Sequence, residues 1–303
     1  MLTFGKTGKP IARCLGGKYD KKILKIGDDS GKSIKPDDPF DFLTEEYLMT
    51  KGKMTPSKMR KVKFNLMDRE DNSDEDVDSV LLDAFRRDLT AKSKNEIIIN
   101  DGKFIPTVDP TGRQIFYLAG ASGSGKSYLA SQYISEYKRI FPKNKVYVFS
   151  RIDEDEILDR LNPIRIKIDD ELLEDPIDIS QEFKDCLILF DDTDTIQDKD
   201  LKEMVAKLQR DVQEIGRHNN IYAVITKHML MNSAETRGII NESHMVAFFK
   251  GNSTYHVTRF LKVYCGLDKN MIQKILQLPS RWVIIGKNYP MYILYESGAF
   301  LLS

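Results

Sequence analysis

The sequence predicts an α/β protein: a mostly parallel sheet with helices on both faces, preceded by an α+β extension and closed by a β-hairpin. Three observations predict it. From about Arg113, strand-like apolar runs alternate with helix-like stretches, the pattern of a parallel sheet covered on both faces. Ile115–Leu118 and Cys186–Phe190 are unbroken apolar runs, as strands buried on both faces read. The first of these runs leads straight into a glycine-rich stretch, Gly120-Ala-Ser-Gly-Ser-Gly-Lys-Ser127, which opens a helix reaching about Arg139.

Taken in chain order, residues 1–36 are rich in Lys and Gly, with short β-like pieces such as Lys22–Ile26. Residues 37–67 hold an acidic-aromatic patch and then a basic one (Lys51, Lys53, Lys58, Arg60, Lys61, Lys63). Residues 68–78, DREDNSDEDVD, are a charge run that reads as a solvated linker. An amphipathic helix is expected over Val77–Leu89. Glu96–Val108 reads as a strand pair around a turn at Asn100-Asp101-Gly102. The extension therefore covers residues 1–104 and the α/β domain 105–303. In the latter, strands are expected at 114–119, 145–150, 186–191, 221–226 and 244–249. Lys199–Ile215 is the clearest helix, because Leu201, Met204, Val205, Leu208, Val212 and Ile215 share one face. The hairpin pairs Arg281–Ile285 with Met291–Tyr295.

The bulk numbers exclude some classes. With 41% hydrophobic residues among 303, the chain has enough apolar material for one large domain or two modest ones. Its 46 basic and 46 acidic residues cancel, so any nucleic-acid contact must come from local patches. The apolar runs are too short for a membrane span, and the N-terminus has no signal-like apolar segment. Cys14, Cys186 and Cys265 are scattered and odd in number, which fits a reducing, cytoplasmic setting. His218, His228, His244 and His256 lack the spacing with these cysteines that a zinc site needs.

Gly120–Ser127 fits G-x-x-x-x-G-K-[ST], the spacing that cradles a nucleoside triphosphate. The glycines let the backbone turn its N–H groups onto phosphate oxygens, and the helix aims its positive end at the same anion. The candidate cradle is Gly120, Ser122, Gly123, Ser124, Gly125, Lys126, Ser127 and Tyr128. Lys126 supplies charge to the β- and γ-phosphates, and the Ser127 hydroxyl is a ligand for Mg²⁺. Gly27–Ser33 looks similar but has one residue too few between its glycines, and Asp28 and Asp29 would repel phosphate.

Cys186-Leu-Ile-Leu-Phe-Asp191-Asp192 ends an apolar strand in two carboxylates, at the strand end where open α/β sheets bind ligands. Asp191 is the candidate Mg²⁺ carboxylate and Asp192 the group that polarises the attacking water, with Asp194 as a competing base. Ile221-Tyr-Ala-Val-Ile-Thr226 is a further buried strand, whose polar end is a candidate γ-phosphate sensor. Thr226 leads there, with Lys227 and His228 behind it. Arg217, on the loop before that strand, could not easily reach its own γ-phosphate but could reach a neighbouring subunit's. The competing reading is an exposed Arg at a helix C-terminus. Arg237 is a second candidate for a role in trans.

GASGSGKS after a strand, ILFDD, EIGRHNNIYAVITKH and RGIINESHMVAFF occur in one order. In this the chain resembles the FtsK/HerA superfamily of P-loop NTPases (RecA/FtsK-like), and is most similar to the genome-packaging ATPases of poxviruses, giant viruses and virophages. The resemblance covers roughly residues 105–300. It implies an ATPase using ATP and Mg²⁺, working as a homo-oligomeric ring (pentamer or hexamer) on double-stranded DNA. The first hundred residues match no such family; a DNA-gripping, a capsid-docking or a regulatory extension are the alternatives for them, with a capsid or membrane-vertex protein as candidate partner. Lys126 and Ser127 would bind phosphate and Mg²⁺, Asp191 the metal, Asp192 the water, Thr226 would sense, and Arg217 would act in trans. Where such motors carry Gln after the sensor Thr, this chain has Lys227. Lys143, Lys145 and the Lys51–Lys63 cluster are candidate DNA contacts. A P-loop kinase or GTPase acting on a small molecule, or another cellular DNA-pumping or AAA-type ATPase, is the alternative, and a nucleotide-binding scaffold without turnover a third.

Overall fold

The computed structural model describes residues 1–27, 95–231, 234–251 and 253–302. The look-alike turn beyond Gly27, the charge run 68–78, the basic cluster 51–63 and the expected helix Val77–Leu89 lie outside these residues. The described residues form one compact unit.

The strands are β1 (Leu2–Thr3), β2 (Lys9–Leu15), β3 (Ile23–Ile26), β4 (Glu96–Ile98), β5 (Lys103–Pro106), β6 (Ile115–Ala119) and β7 (Val146–Ser150). They continue with β8 (Ile164–Lys167), β9 (Leu187–Phe190), β10 (Tyr222–Lys227), β11 (Met245–Phe249), β12 (Trp282–Gly286), β13 (Tyr292–Tyr295) and β14 (Gly298–Leu301). The longer helices are α1 (Lys126–Ile140), α2 (Lys199–Glu214), α3 (Ala234–Glu242), α4 (Thr254–Val263) and α5 (Lys269–Leu276).

Ten strands form one sheet in the order β4-β14-β13-β12-β11-β6-β10-β9-β7-β8. From β8 to β11 the strands are parallel; β12, β13, β14 and β4 continue it antiparallel. The five strands expected from the apolar runs are present, and the hairpin pairs Val283 with Tyr295. Alternation sorts each strand's side chains between two cores. Phe116, Leu118, Leu187, Leu189, Tyr222 and Val224 pack against Leu129, Tyr133 and Tyr137 of α1. Ile115, Tyr117, Ile188, Phe190 and Ile225 pack on the other face against α2, α4 and α5.

The expected pairing within Glu96–Val108 is not formed. β4 pairs with β14, Phe300 opposite Glu96, while β5 pairs with β2 in a separate sheet of order β1-β3-β2-β5. The turn at 100–102 exists, but it carries the chain between sheets instead of back along itself. Both sides are anchored elsewhere: Ile99 donates to the Ser297 carbonyl and Phe104 to that of Glu296. A local turn signal fixes the reversal and not the partners.

The small sheet shares the α1 face of the large one, with Ile11, Cys14, Leu24 and Phe104 in the same core. A buried carboxylate joins them. Glu136 of α1 accepts from Arg13 of β2 at 2.6 Å, from the Thr107 hydroxyl at 2.9 Å and from Arg139 at 2.7 Å. Burial pushes this carboxyl up, but the bonds from Arg139, Arg13 and Thr107 outweigh it and the net shift is downward. A carboxyl depressed on folding adds stability above its unfolded pKa, and that stability is lost as pH falls through the folded value. Glu136→Gln is expected to cost about 3 kcal/mol near neutral pH and to flatten the acid limb of the stability curve. Chemical denaturation of both proteins from about pH 7 down to about pH 3 checks this; an equal loss at every pH would refute the ion-pair account.

Candidate nucleotide site

The C-terminal ends of β6, β10 and β9 stand side by side, because β10 lies between the other two in parallel register. That places the glycine-rich loop, Thr226 and the Asp191–Asp192 pair at one edge. The loop runs from β6 into α1. Gly123 and Gly125 take φ of 73° and 104°, a left-handed region that favours glycine. Gly120 is required for another reason: a Cβ there would lie 2.5 Å from Ser124 Oγ and 2.8 Å from the Phe249 ring. Its N–H donates to the Lys227 carbonyl at 3.0 Å, which ties the loop to β10.

Lys126 is buried, at 5% exposure, although it is a charged side chain. Its Nζ donates to the Gly120 carbonyl at 3.0 Å and lies 3.3 Å from Asp192 Oδ1. The ammonium is thus held inside the loop by groups that phosphate oxygens can replace. The Ser124 hydroxyl is enclosed in the loop with no hydrogen-bond partner. An enclosed, partnerless hydroxyl in a loop rich in N–H donors fits an anion. Ser127 is half-buried in the first turn of α1.

Thr226, fully buried, organises the carboxylates. Its Oγ1 donates to Asp191 Oδ1 at 2.8 Å and accepts from the Asp192 N–H at 2.8 Å. Asp192 sits in the left-handed region, φ 44° and ψ 41°, a conformation costing a non-glycine residue about 1 kcal/mol. Burial raises the Asp191 pKa; the Thr226 bond opposes it, Asp192 and Asp155 add to it, and Lys126 opposes it. A divalent cation would reverse that penalty, and a hard carboxylate oxygen suits Mg²⁺.

His228 adds a contact that the spacing of the motifs does not signal. Its N–H donates to Asp194 Oδ2 at 2.8 Å, and its ring Nδ1 lies 3.1 Å from Asp194 Oδ1. Its Nε2 is 3.6 Å from Asp192 Oδ2. Both Asp194 oxygens are therefore engaged by His228, while Asp192 faces Lys126. Alternation along β10 sends the Lys227 side chain to the face opposite Thr226, where it is buried at 1% exposure. Tyr128 points outward and is half exposed, with Lys103 Nζ 5.6 Å from its ring.

Arg217 is not part of this cluster. It lies in the turn Ile215–Arg217, before β10, whereas Thr226 lies at that strand's end. Six strand residues separate the two edges by about 20 Å. At that far edge Arg217 is exposed and lines a cavity of about 840 Å³ together with Arg113, His244 and Lys287. Among the described residues it makes no hydrogen bond or ion pair. Arg113 donates to the Val212 carbonyl at 2.7 Å and to that of Gln213, capping α2. Burial lowers the Arg113 pKa, Glu242 opposes this, and Arg217 lowers it further. Burial, then Arg113, Lys9 and Lys287, push His244 down to about 4. Lys143 and Lys145 are exposed at the same edge, before β7, and Arg237 is exposed on α3.

Strand order, loop and carboxylate pair are those of the P-loop NTPase fold, and the motif order resembles that of the FtsK/HerA superfamily. No protein-family model matches the chain. It is 48% identical over 218 residues to the uncharacterized protein V3 of Sputnik virophage, spanning 71% of this chain and 88% of that protein. The chain belongs to the family of that virophage protein. Among solved structures it is similar to the genome packaging NTPase B204 of Sulfolobus turreted icosahedral virus 2 in complex with ATP-gammaS, at 12% identity and TM-score 0.41, over 60% of this chain and 96% of that one. It is also similar to the pCW3 conjugation coupling protein TcpA, at 10% identity and TM-score 0.44, over 67% and 66% of the two chains. No described helix is long and apolar enough to cross a membrane.

Thr226→Val removes the donor to Asp191 and the acceptor for Asp192 together. Nucleotide turnover is expected to fall about 10²-fold, with nucleotide affinity within a few-fold and most turnover kept in Thr226→Ser. Steady-state rates measured beside equilibrium nucleotide binding check this. Unchanged turnover in the valine variant would remove Thr226 from the chemistry.

Proposed function

We propose that this chain is an ATPase that works as a homo-oligomeric ring, a pentamer or hexamer, and moves double-stranded DNA in packaging a viral genome. The observation that carries it is the division of charge between the two sheet edges. One edge holds loop, lysine and carboxylates, while Arg217, without a hydrogen bond or ion pair among the described residues, stands about 20 Å away. An arginine so placed serves a triphosphate bound to another subunit, as an arginine finger. Kinship with a virophage protein supports the viral setting.

In this reading Lys126 exchanges the Gly120 carbonyl and Asp192 for phosphate oxygens when ATP binds. Asp192, so released, takes the proton of the attacking water. Thr226 transmits the change between Asp191 and Asp192 because it bonds both. Ser127 and Asp191 would hold Mg²⁺, which supplies neutralisation of charge on the phosphates. DNA contact is through phosphates and independent of sequence, with Lys143 and Lys145 as described candidates. Residues 105–303 carry the ATPase. Residues 1–104 are the extension for a capsid or membrane-vertex partner, and the location is cytoplasmic, at the virus factory or with the virion.

Hydrolysis is expected to rise with long duplex DNA, to lose that stimulation with added salt, and to rise in specific activity with protein concentration. Arg217→Ala should lower turnover about 10³-fold, and mixing it with Lys126→Ala should restore part of the rate. Restoration occurs because the intact loop of one variant meets the intact arginine of the other. Turnover that ignores DNA and concentration, with Arg217 dispensable, would favour a P-loop kinase or GTPase acting on a small molecule.

A further inference from the structure

We propose that the outer face of α4 is a surface for the phosphate backbone of duplex DNA, with Arg259 and Lys262 as its central contacts and Lys250 and Lys269 at its ends. This rests on the reading of the chain as a DNA-moving ATPase, and it names where on the fold the duplex is held.

The charge distribution points there first. Over the whole chain 46 basic residues cancel 46 acidic ones, yet residues 243–295 hold seven Lys and Arg against one acid, Asp268. That acid is occupied: Asp268 Oδ1 accepts from the Met271 N–H at 2.8 Å and caps α5. Of the five longer helices, only α4 and α5 contain no Asp or Glu. On the same side of the sheet, α2 interleaves its lysines with acids and pairs Lys199 with Glu203, as a solvated face does.

The packing of α4 turns its cations outward. Val257, Phe260 and Leu261 are buried in the core on that side of the sheet. This leaves Tyr255, Arg259, Lys262 and Val263 on another stripe at helical spacing. All four are exposed, Tyr255 and Val263 at 65%. Among the described residues, the side chains of Lys250, Arg259, Lys262 and Lys269 make no hydrogen bond or ion pair.

The place of α4 in the fold makes the row long. β11 runs parallel to β6 with Phe248 opposite Ala119, so Lys250 stands at the edge that carries the glycine-rich loop. Cys265, just beyond α4, lies toward the other edge. Burial pushes its thiol up to about 12, and the charge of Lys287, which lines the Arg217 cavity, opposes this. The cations therefore cross the face from one edge toward the other.

The scale suits a duplex. The ten residues of α4 make a helix about 15 Å long, and each DNA strand presents a phosphate about every 3.4 Å of axis. Long cationic side chains over that length meet several phosphates without reading a base, and the Tyr255 hydroxyl is a further donor to them. The lack of carboxylates counts as much as the cations, because an acid in the row would repel the backbone.

The test uses the full chain and a duplex of mixed sequence. Equilibrium binding is measured over a series of salt concentrations, beside nucleotide turnover with and without the duplex. The variants are the double substitution Arg259→Gln with Lys262→Gln, and the charge-keeping Arg259→Lys. The glutamine pair is expected to weaken duplex binding about tenfold and to make the slope of log affinity against log salt shallower by about 2. Its turnover without DNA should match wild type while the stimulation by DNA is lost, and Arg259→Lys should behave as wild type. Duplex affinity and salt slope unchanged in the glutamine pair would overturn the proposal. So would a glutamine pair that releases vesicles of anionic lipid while keeping the duplex, which would give this face to a membrane. A wild type that binds no duplex would instead overturn the DNA-moving reading itself, so the two failures are distinguishable.

Discussion

The Thr226 hydroxyl holds the two carboxylates in the arrangement the site needs. It donates to Asp191 and accepts the Asp192 N–H, so one side chain fixes a carboxylate's orientation and its neighbour's backbone. Without that acceptor, the left-handed turn at Asp192 would bury an unpaired N–H, at a cost comparable to the strain itself. The hydroxyl can do this only because β10 lies between β6 and β9. Were the carboxylate strand next to the loop strand, no side chain would stand between Lys126 and Asp191. Strand order is therefore the condition on which the chemistry depends, and the two apolar cores enforce it.

The position of Lys126 has a consequence for how the loop keeps its shape. A buried ammonium needs partners, and it finds them in the Gly120 carbonyl and Asp192. The loop is thus held in shape by its own lysine, and under the proposed function little reorganisation would be needed for phosphate to replace the carboxylate. His228 ties the neighbouring acids together: it engages both Asp194 oxygens and lies 3.6 Å from Asp192 Oδ2, while Asp192 Oδ1 faces Lys126.

Much of this was legible in the sequence, and the reason is local. Five of the six parallel strands are largely buried, so they read as apolar runs, and the loop's chemistry needs fixed residue types at fixed spacing. What was not legible depends on partners far apart in the chain. The turn at Asn100–Gly102 was visible, but β4 and β5 found partners in β14 and β2, which no local signal encodes. β8 and β14 went unread because Arg165 and Lys167 break the apolar pattern of one and Glu296-Ser-Gly leads directly into the other. The Asp194–His228 clamp spans 34 positions.

The far edge imposes a final constraint. Arg113 spends its guanidinium on the last carbonyls of α2, and it lies 3.0 Å from where a Gly216 Cβ would be. A side chain at 216 would press on the guanidinium that caps the helix, which accounts for glycine immediately before Arg217. The turn is therefore fixed from beneath by one arginine while the next is left exposed, and their like charges disfavour Arg217 folding back onto Arg113. At this edge the Arg217 guanidinium is left exposed, about a strand's length from the glycine-rich loop.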